Sequence, residues 1–103
     1  MHVSDEQKKI ITRILLDLVP TARVSVFGSR ATGTKKKFSD LDLLIHTKTK
    51  LSLRNFRRLK EAFTDSSLPF RVDIVDANTA SEEFLKEIET DAIVIQGSGS
   101  RRL

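Results

Sequence analysis

Asp40 and Asp42 stand two residues apart in Ser39-Asp40-Leu41-Asp42-Leu43-Leu44-Ile45, a spacing that puts both carboxylates on one face of an extended strand. Leu41, Leu43 and Ile45 take the other face. Like charges on neighbouring same-face positions disfavour each other's ionisation, and a divalent cation relieves that repulsion. Asp73 sits among β-branched residues in Arg71-Val72-Asp73-Ile74-Val75, where a carboxylate has little structural use. If its strand lies beside that of Asp42, the three acids form a cluster of hard oxygen ligands able to hold Mg2+. Asp76 has the opposite parity and reads as a strand-end or turn residue. Gly28-Ser29 closes an earlier alternating segment, and a tight turn there offers backbone N–H groups and a hydroxyl to a polyphosphate. Donors that orient phosphate and acids that bind metal are the two requirements of triphosphate chemistry. Arg30 follows directly, with a phosphate contact and an ion pair to a neighbouring acid as equal readings.

The elements that must position these groups follow from periodicity. Ser4-Asp5-Glu6-Gln7 has the form of a capping box, and Ile10, Ile11, Ile14, Leu15 and Leu18 recur at helical spacing up to Pro20. Ala22 to Phe27 alternates as a half-buried strand ended by Gly28, and a second strand is expected from Ser39 to about His46. Ser52 can cap a helix that turns Leu53, Phe56, Leu59, Ala62 and Phe63 inward, broken by Asp65 to Pro69. Phe70 to Asp76 alternates as a third strand. Either Thr79 or Ser81 then starts a helix through Phe84, Leu85 and Ile88, and Ala92 to Ile95 makes a short last strand. This order predicts an α/β (α+β) two-layer sandwich: a small mixed sheet with helices on one face and an open face where polar side chains converge. Residues 1–96 form the domain and residues 97–103 a mobile basic tail.

A chain of 103 residues allows one small domain. It has no cysteine, which excludes disulfides, thiolate metal sites and cysteine nucleophiles together. Eighteen basic groups against 14 acidic ones leave a net charge of +4, which favours anionic partners without choosing among them. Phe is the one aromatic type, six times over, so stacking groups of the kind that read single strands are scarce and direct nucleic-acid binding is not expected. The lysine run Lys35–Lys37 and the helix positions Arg54, Arg57, Arg58 and Lys60 read as solvated surface. His46 shares the parity of Asp40 and Asp42 but stands at the strand end. No apolar run reaches membrane-span length and the first residues are polar and mixed in charge, so a cytoplasmic chain without membrane contact is expected.

Gly28-Ser29, ten intervening residues and then Asp40-Leu41-Asp42 resemble the Gly-Ser-x10-Asp-x-Asp signature of the DNA polymerase beta-like nucleotidyltransferase superfamily. The wider string from Phe27 to Gly33 and from Ser39 to Leu43 resembles its minimal nucleotidyltransferase (MNT) branch. The resemblance implies a polymerase beta palm-like fold in which Ser29, helped by the Gly28 turn and with Arg30 beside it, binds the triphosphate of ATP. Asp40 and Asp42 would hold two Mg2+ ions. Asp73 would complete the metal site and help position or deprotonate the attacking hydroxyl, with pyrophosphate leaving. Short MNT proteins resemble the antitoxins paired with HEPN-domain toxins. The implied partner is therefore a HEPN toxin in a hetero-oligomer, and the implied reaction is transfer of AMP to a toxin hydroxyl, that of tyrosine. The alternatives are an antitoxin that neutralises by binding alone, and the catalytic subunit of a small-molecule nucleotidyltransferase.

Overall fold

The computed structural model describes residues 3–28 and 40–97. Ser29, Arg30, the Lys35–Lys37 run and residues 98–103 of the expected tail lie outside the described residues. The first helix, α1 (Asp5–Leu18), forms where the capping box predicts it: the Ser4 hydroxyl accepts from the Gln7 N–H at 3.1 Å, and Gln7 Oε1 accepts from the Ser4 N–H at 2.9 Å. Strand β1 (Arg23–Phe27), strand β2 (Leu41–His46), helix α2 (Leu53–Thr64), strand β3 (Val72–Asp76), helix α3 (Glu82–Glu89) and strand β4 (Ile93–Gln96) follow. Ser52 caps α2 and Ser81, rather than Thr79, caps α3. No helix among the described residues is long and apolar enough to cross a membrane.

The strands form a mixed sheet in the order β3-β2-β1-β4. β1 runs antiparallel to β2 and β4, and β2 runs parallel to β3. A parallel neighbour requires a crossover, which α2 supplies. Alternation then sorts the side chains. Val24, Val26, Leu41, Leu43, Ile45, Val72 and Ile74 meet Ile11 and Leu15 of α1 and Leu59 and Phe63 of α2 in one apolar cluster. Each such side chain removed from water contributes about 1.5–3 kcal/mol, so this layer sets the face on which the polar residues are left.

Three expectations need adjustment. The second strand starts at Leu41, so Asp40 precedes the ladder rather than sitting within it. Leu53 does not point inward but is 66% exposed; at 100° per residue it stands about 120° around α2 from Leu59, off the buried stripe. The helices are also not all on one face. α1 and α2 cover the core face, while α3 stands on the other: the Phe84 ring meets Phe27 edge-on at 6.0 Å, and Glu89 reaches Arg23 and His46. That face carries Phe27 and Leu44, 8% and 0% exposed. An apolar pair of this parity needs cover of its own.

Candidate functional site

The register builds the site. β2 and β3 pair Asp42 with Asp73 across parallel strands, and β1 and β2 pair Phe27 with Asp42. Residues paired in this way project to the same side, so the Asp42 and Asp73 carboxylates share one face about one strand spacing, ~4.8 Å, apart. Gly28 follows Phe27 and closes against Asp42. Its φ is +80°, and a Cβ there would lie 2.5 Å from Asp42 Oδ2. Only glycine accommodates both the backbone and the carboxylate.

Asp40, just ahead of β2, is held differently. Its Oδ2 accepts from Arg71 Nη2 at 3.2 Å, and Arg71 Nε lies 3.5 Å from Asp73 Oδ1. The backbone secures this link, since the Arg71 carbonyl accepts from the Leu41 N–H at 2.9 Å. Arg71 therefore bridges two of the three acids, and sequence reasoning gave it no role. The signal was present: Arg71 is two residues before Asp73 and shares its parity.

Electrostatics mark Asp42 as the stressed member. Burial pushes its carboxyl above the ordinary range, the Asp73 and Asp40 charges push it further, and Arg71 pulls against them. The site thus gathers Asp42, Asp73 and Gly28 directly and Asp40 through Arg71, while Ser29 and Arg30 lie outside the described residues. His46 belongs elsewhere. Four residues along β2 from Asp42, about 13 Å at the rise of a strand, its Nε2 lies 3.2 Å from Arg23 Nη2 and 3.7 Å from Glu89 Oε2. Burial, then the Arg23 charge, lower its pKa, and Glu89 acts in the opposite sense. Asp76, 5% exposed, accepts from the Leu51 N–H at 2.8 Å and the Asn78 N–H at 2.9 Å, a turn role in keeping with its parity.

Among the described residues no three His, Cys, Asp or Glu side chains are placed as they stand to hold a metal ion. The expected three-acid cluster is instead two adjacent acids with Asp40 turned to the guanidinium, which serves as their counter-ion. The donor chemistry still suits a hard divalent cation: the ligands are all carboxylate oxygens, and Asp42, raised first by burial, is raised further by the Asp73 and Asp40 charges, which Arg71 only partly offsets.

The family described as polymerase beta, nucleotidyltransferase matches residues 8–100. This chain belongs to that family. Among curated relatives, this nucleotidyltransferase is 45% identical over 96 residues to a protein of Haemophilus influenzae named probable protein adenylyltransferase MntA, an overlap covering 93% of this chain and 84% of the relative. Among solved structures it is similar to a toxin–antitoxin with AMP-PNP, at 26% identity and a TM-score of 0.75, covering 88% of this chain and 73% of the other. A structure described as a minimal nucleotidyltransferase matches at 30% identity and a TM-score of 0.69, covering 87% and 90%.

Proposed function

We propose that this nucleotidyltransferase is an antitoxin that transfers AMP from ATP to a hydroxyl, that of a tyrosine, on a cognate HEPN-domain toxin. The observation that carries the reading is the lateral pairing of Asp42 with Asp73 on one face, closed by the Gly28 turn. The 45% identity to MntA and the likeness to a toxin–antitoxin with AMP-PNP support the adenylyl donor and the class of acceptor. The chain contains no tyrosine, so a tyrosine acceptor belongs to another molecule.

In the reaction the acceptor oxygen attacks the α-phosphorus of ATP. An O–P bond forms, the bond from the α-phosphorus to the bridging oxygen breaks, and pyrophosphate leaves with that oxygen. To Asp73, on the edge strand β3, we assign the role of taking the proton of the hydroxyl. Asp40, Asp42 and Asp73 would hold Mg2+, which when bound offsets triphosphate charge and lowers the pKa of the acceptor hydroxyl. Gly28 leaves room for the Asp42 carboxylate and leads the chain into Ser29 and Arg30, which we assign to the triphosphate. On a toxin that acts on RNA, the added phosphate would repel the substrate from a nearby active site, a direct route to silencing.

The test is to mix the chain with the protein encoded beside it, Mg2+ and ATP, and to weigh the partner intact. A gain of one or more AMP units is expected. An unchanged mass, with the toxin still neutralised by the Asp40→Ala/Asp42→Ala variant, overturns catalysis and leaves an antitoxin that works by binding.

A further inference from the structure

β3 is an edge strand: no strand pairs with its outer side among the described residues, although Val72 and Ile74 are 8% and 9% exposed. The Leu41 N–H donates to the Arg71 carbonyl and the Ala77 N–H to the Ile45 carbonyl. The odd-numbered residues of β3 thus address β2, and alternation turns the N–H and C=O groups of Val72 and Ile74 outward. Along this edge runs a groove of about 540 Å³ lined by Lys50, Leu53, Phe56, Ile74, Val75 and Thr79 among others. Ile74 and Val75 have opposite parities, so the groove straddles the strand edge rather than lying on either face.

Its wall is apolar and its rim is basic. Leu53, Phe56, Arg57 and Lys60 fall at i, i+3, i+4 and i+7, one face of α2, and Lys60 Nζ stands 5.7 Å from the Phe56 ring centroid. α2 carries Arg54, Arg57, Arg58 and Lys60 against Glu61 alone. The acid that lines the groove, Asp76, is buried and engaged by the Leu51 and Asn78 N–H groups. On the α2 side of the edge the exposed charge is therefore positive, while the carboxylate of Asp73 lies on the opposite face. A second copy of this chain, itself at +4, is repelled. Outward N–H and C=O groups in alternation match a peptide backbone rather than a phosphate chain.

We propose that the free edge of β3 receives an acidic, extended segment of the acceptor protein as a fifth strand. This rests on the reading of the chain as a protein adenylyltransferase, and it says how the acceptor is presented. A residue of the added strand lateral to Asp73 shares its face at about 4.8 Å between backbones. That places a tyrosine hydroxyl of the segment beside the Asp42–Asp73 pair while its acidic neighbours meet Lys50, Arg57 and Lys60. Exposed Leu53 and half-buried Phe56 receive its apolar side chains.

The decisive measurement is amide exchange by NMR at Val72 and Ile74, with the protein encoded beside this chain as the probe. Both amides exchange rapidly in the free protein and gain at least tenfold protection in the complex. The Lys50→Glu/Arg57→Glu/Lys60→Glu variant, which leaves every acid of the site in place, raises the Kd for the partner at least tenfold and leaves the KM for ATP unchanged. Absence of a complex, a complex that leaves either amide unprotected, an unchanged Kd in the variant, or equal protection by a single-stranded RNA oligonucleotide overturns the proposal. A complex with protected amides but no AMP on the partner overturns the catalytic reading and leaves this docking mode standing.

Discussion

One face of the sheet carries two polar clusters that share strand β2, and they balance half-exposed charge in opposite ways. At the His46 end, Arg23 of β1, His46 of β2 and Glu89 of α3 bring a cation, a titratable ring and an anion together, so the charges close among themselves. At the Asp42 end, three carboxylates face one guanidinium. The first cluster is a balanced contact that helps seat α3. The second keeps a surplus of negative charge that the fold alone does not cancel, which is the condition expected where an external cation and a polyphosphate are to be bound.

Removing the surplus gives the largest effect. Asp42→Asn is expected to lower AMP transfer at least about a hundredfold, since even outer-shell partners of a metal site cost 10- to 100-fold when lost. Stability moves the other way. Asp42 titrates higher in the folded protein than its ordinary 3.8, so the folded state binds its proton more tightly. Wild-type stability therefore falls as pH rises through the interval between 3.8 and the folded value. The variant lacks that loss. Thermal melts with a chelator at neutral pH should show Asp42→Asn at least as stable as wild type, the difference closing in acid. A variant that melts lower would mean that the carboxylate is structural and that the two clusters do not differ as described.

Gly28→Ala strikes the same end of the face through the backbone. The φ of +80° and the 2.5 Å approach to Asp42 Oδ2 predict a loss of about 1 kcal/mol or more and displacement of the carboxylate. Transfer activity should fall by more than the small stability change accounts for, a split read by comparing activity with denaturation midpoints. An alanine variant with full activity would show that the placement of Asp42 tolerates movement.

How much of this was legible in the residues differs between the two ends. Alternation alone put Asp40 and Asp42 on one side and Asp73 opposite Val72 and Ile74, and the caps Ser4 and Ser52, Ser81 as one of two candidates, and the break at Pro20 are local signals that local structure obeyed. The neighbour relation of β2 and β3 is a long-range pairing, so the sequence supported it only as a condition. Arg71 was readable by parity, but its choice of Asp40 as partner depends on the start of β2 at Leu41, a boundary that alternation does not locate. The position of α3 was missed because the sheet was read as having one apolar face. Leu43-Leu44-Ile45 breaks the alternation, and with Phe27 it marks a strand pair covered on both sides.

Phe84→Ala tests the cover on that second face. α3 has no fully buried residue, and the edge-on contact with Phe27 is its main aromatic anchor among the described residues. The expected loss is about 0.5–1.5 kcal/mol, with amides of α3 exchanging faster and those of α1 unchanged. Uniform acceleration across both helices would show that α3 is integral to the core rather than an outer cover.

The smallest effect belongs to the balanced cluster, and its sign is the sharpest check on the comparison. Burial and Arg23 hold His46 below 6.5 in the folded state, so on acidification the unfolded chain takes up a proton first. Stability is therefore lost as pH falls from 6.5 toward the folded value. His46→Gln removes the titrating ring and should flatten the change in urea midpoint between about pH 7.5 and pH 5.5. Glu89 is the one neighbour that opposes the shift, so Glu89→Gln should depress the ring further and steepen the same change. If both variants shift the slope in one direction, the three side chains are not acting as a compensated set, and the contrast with the uncompensated aspartates at the other end fails.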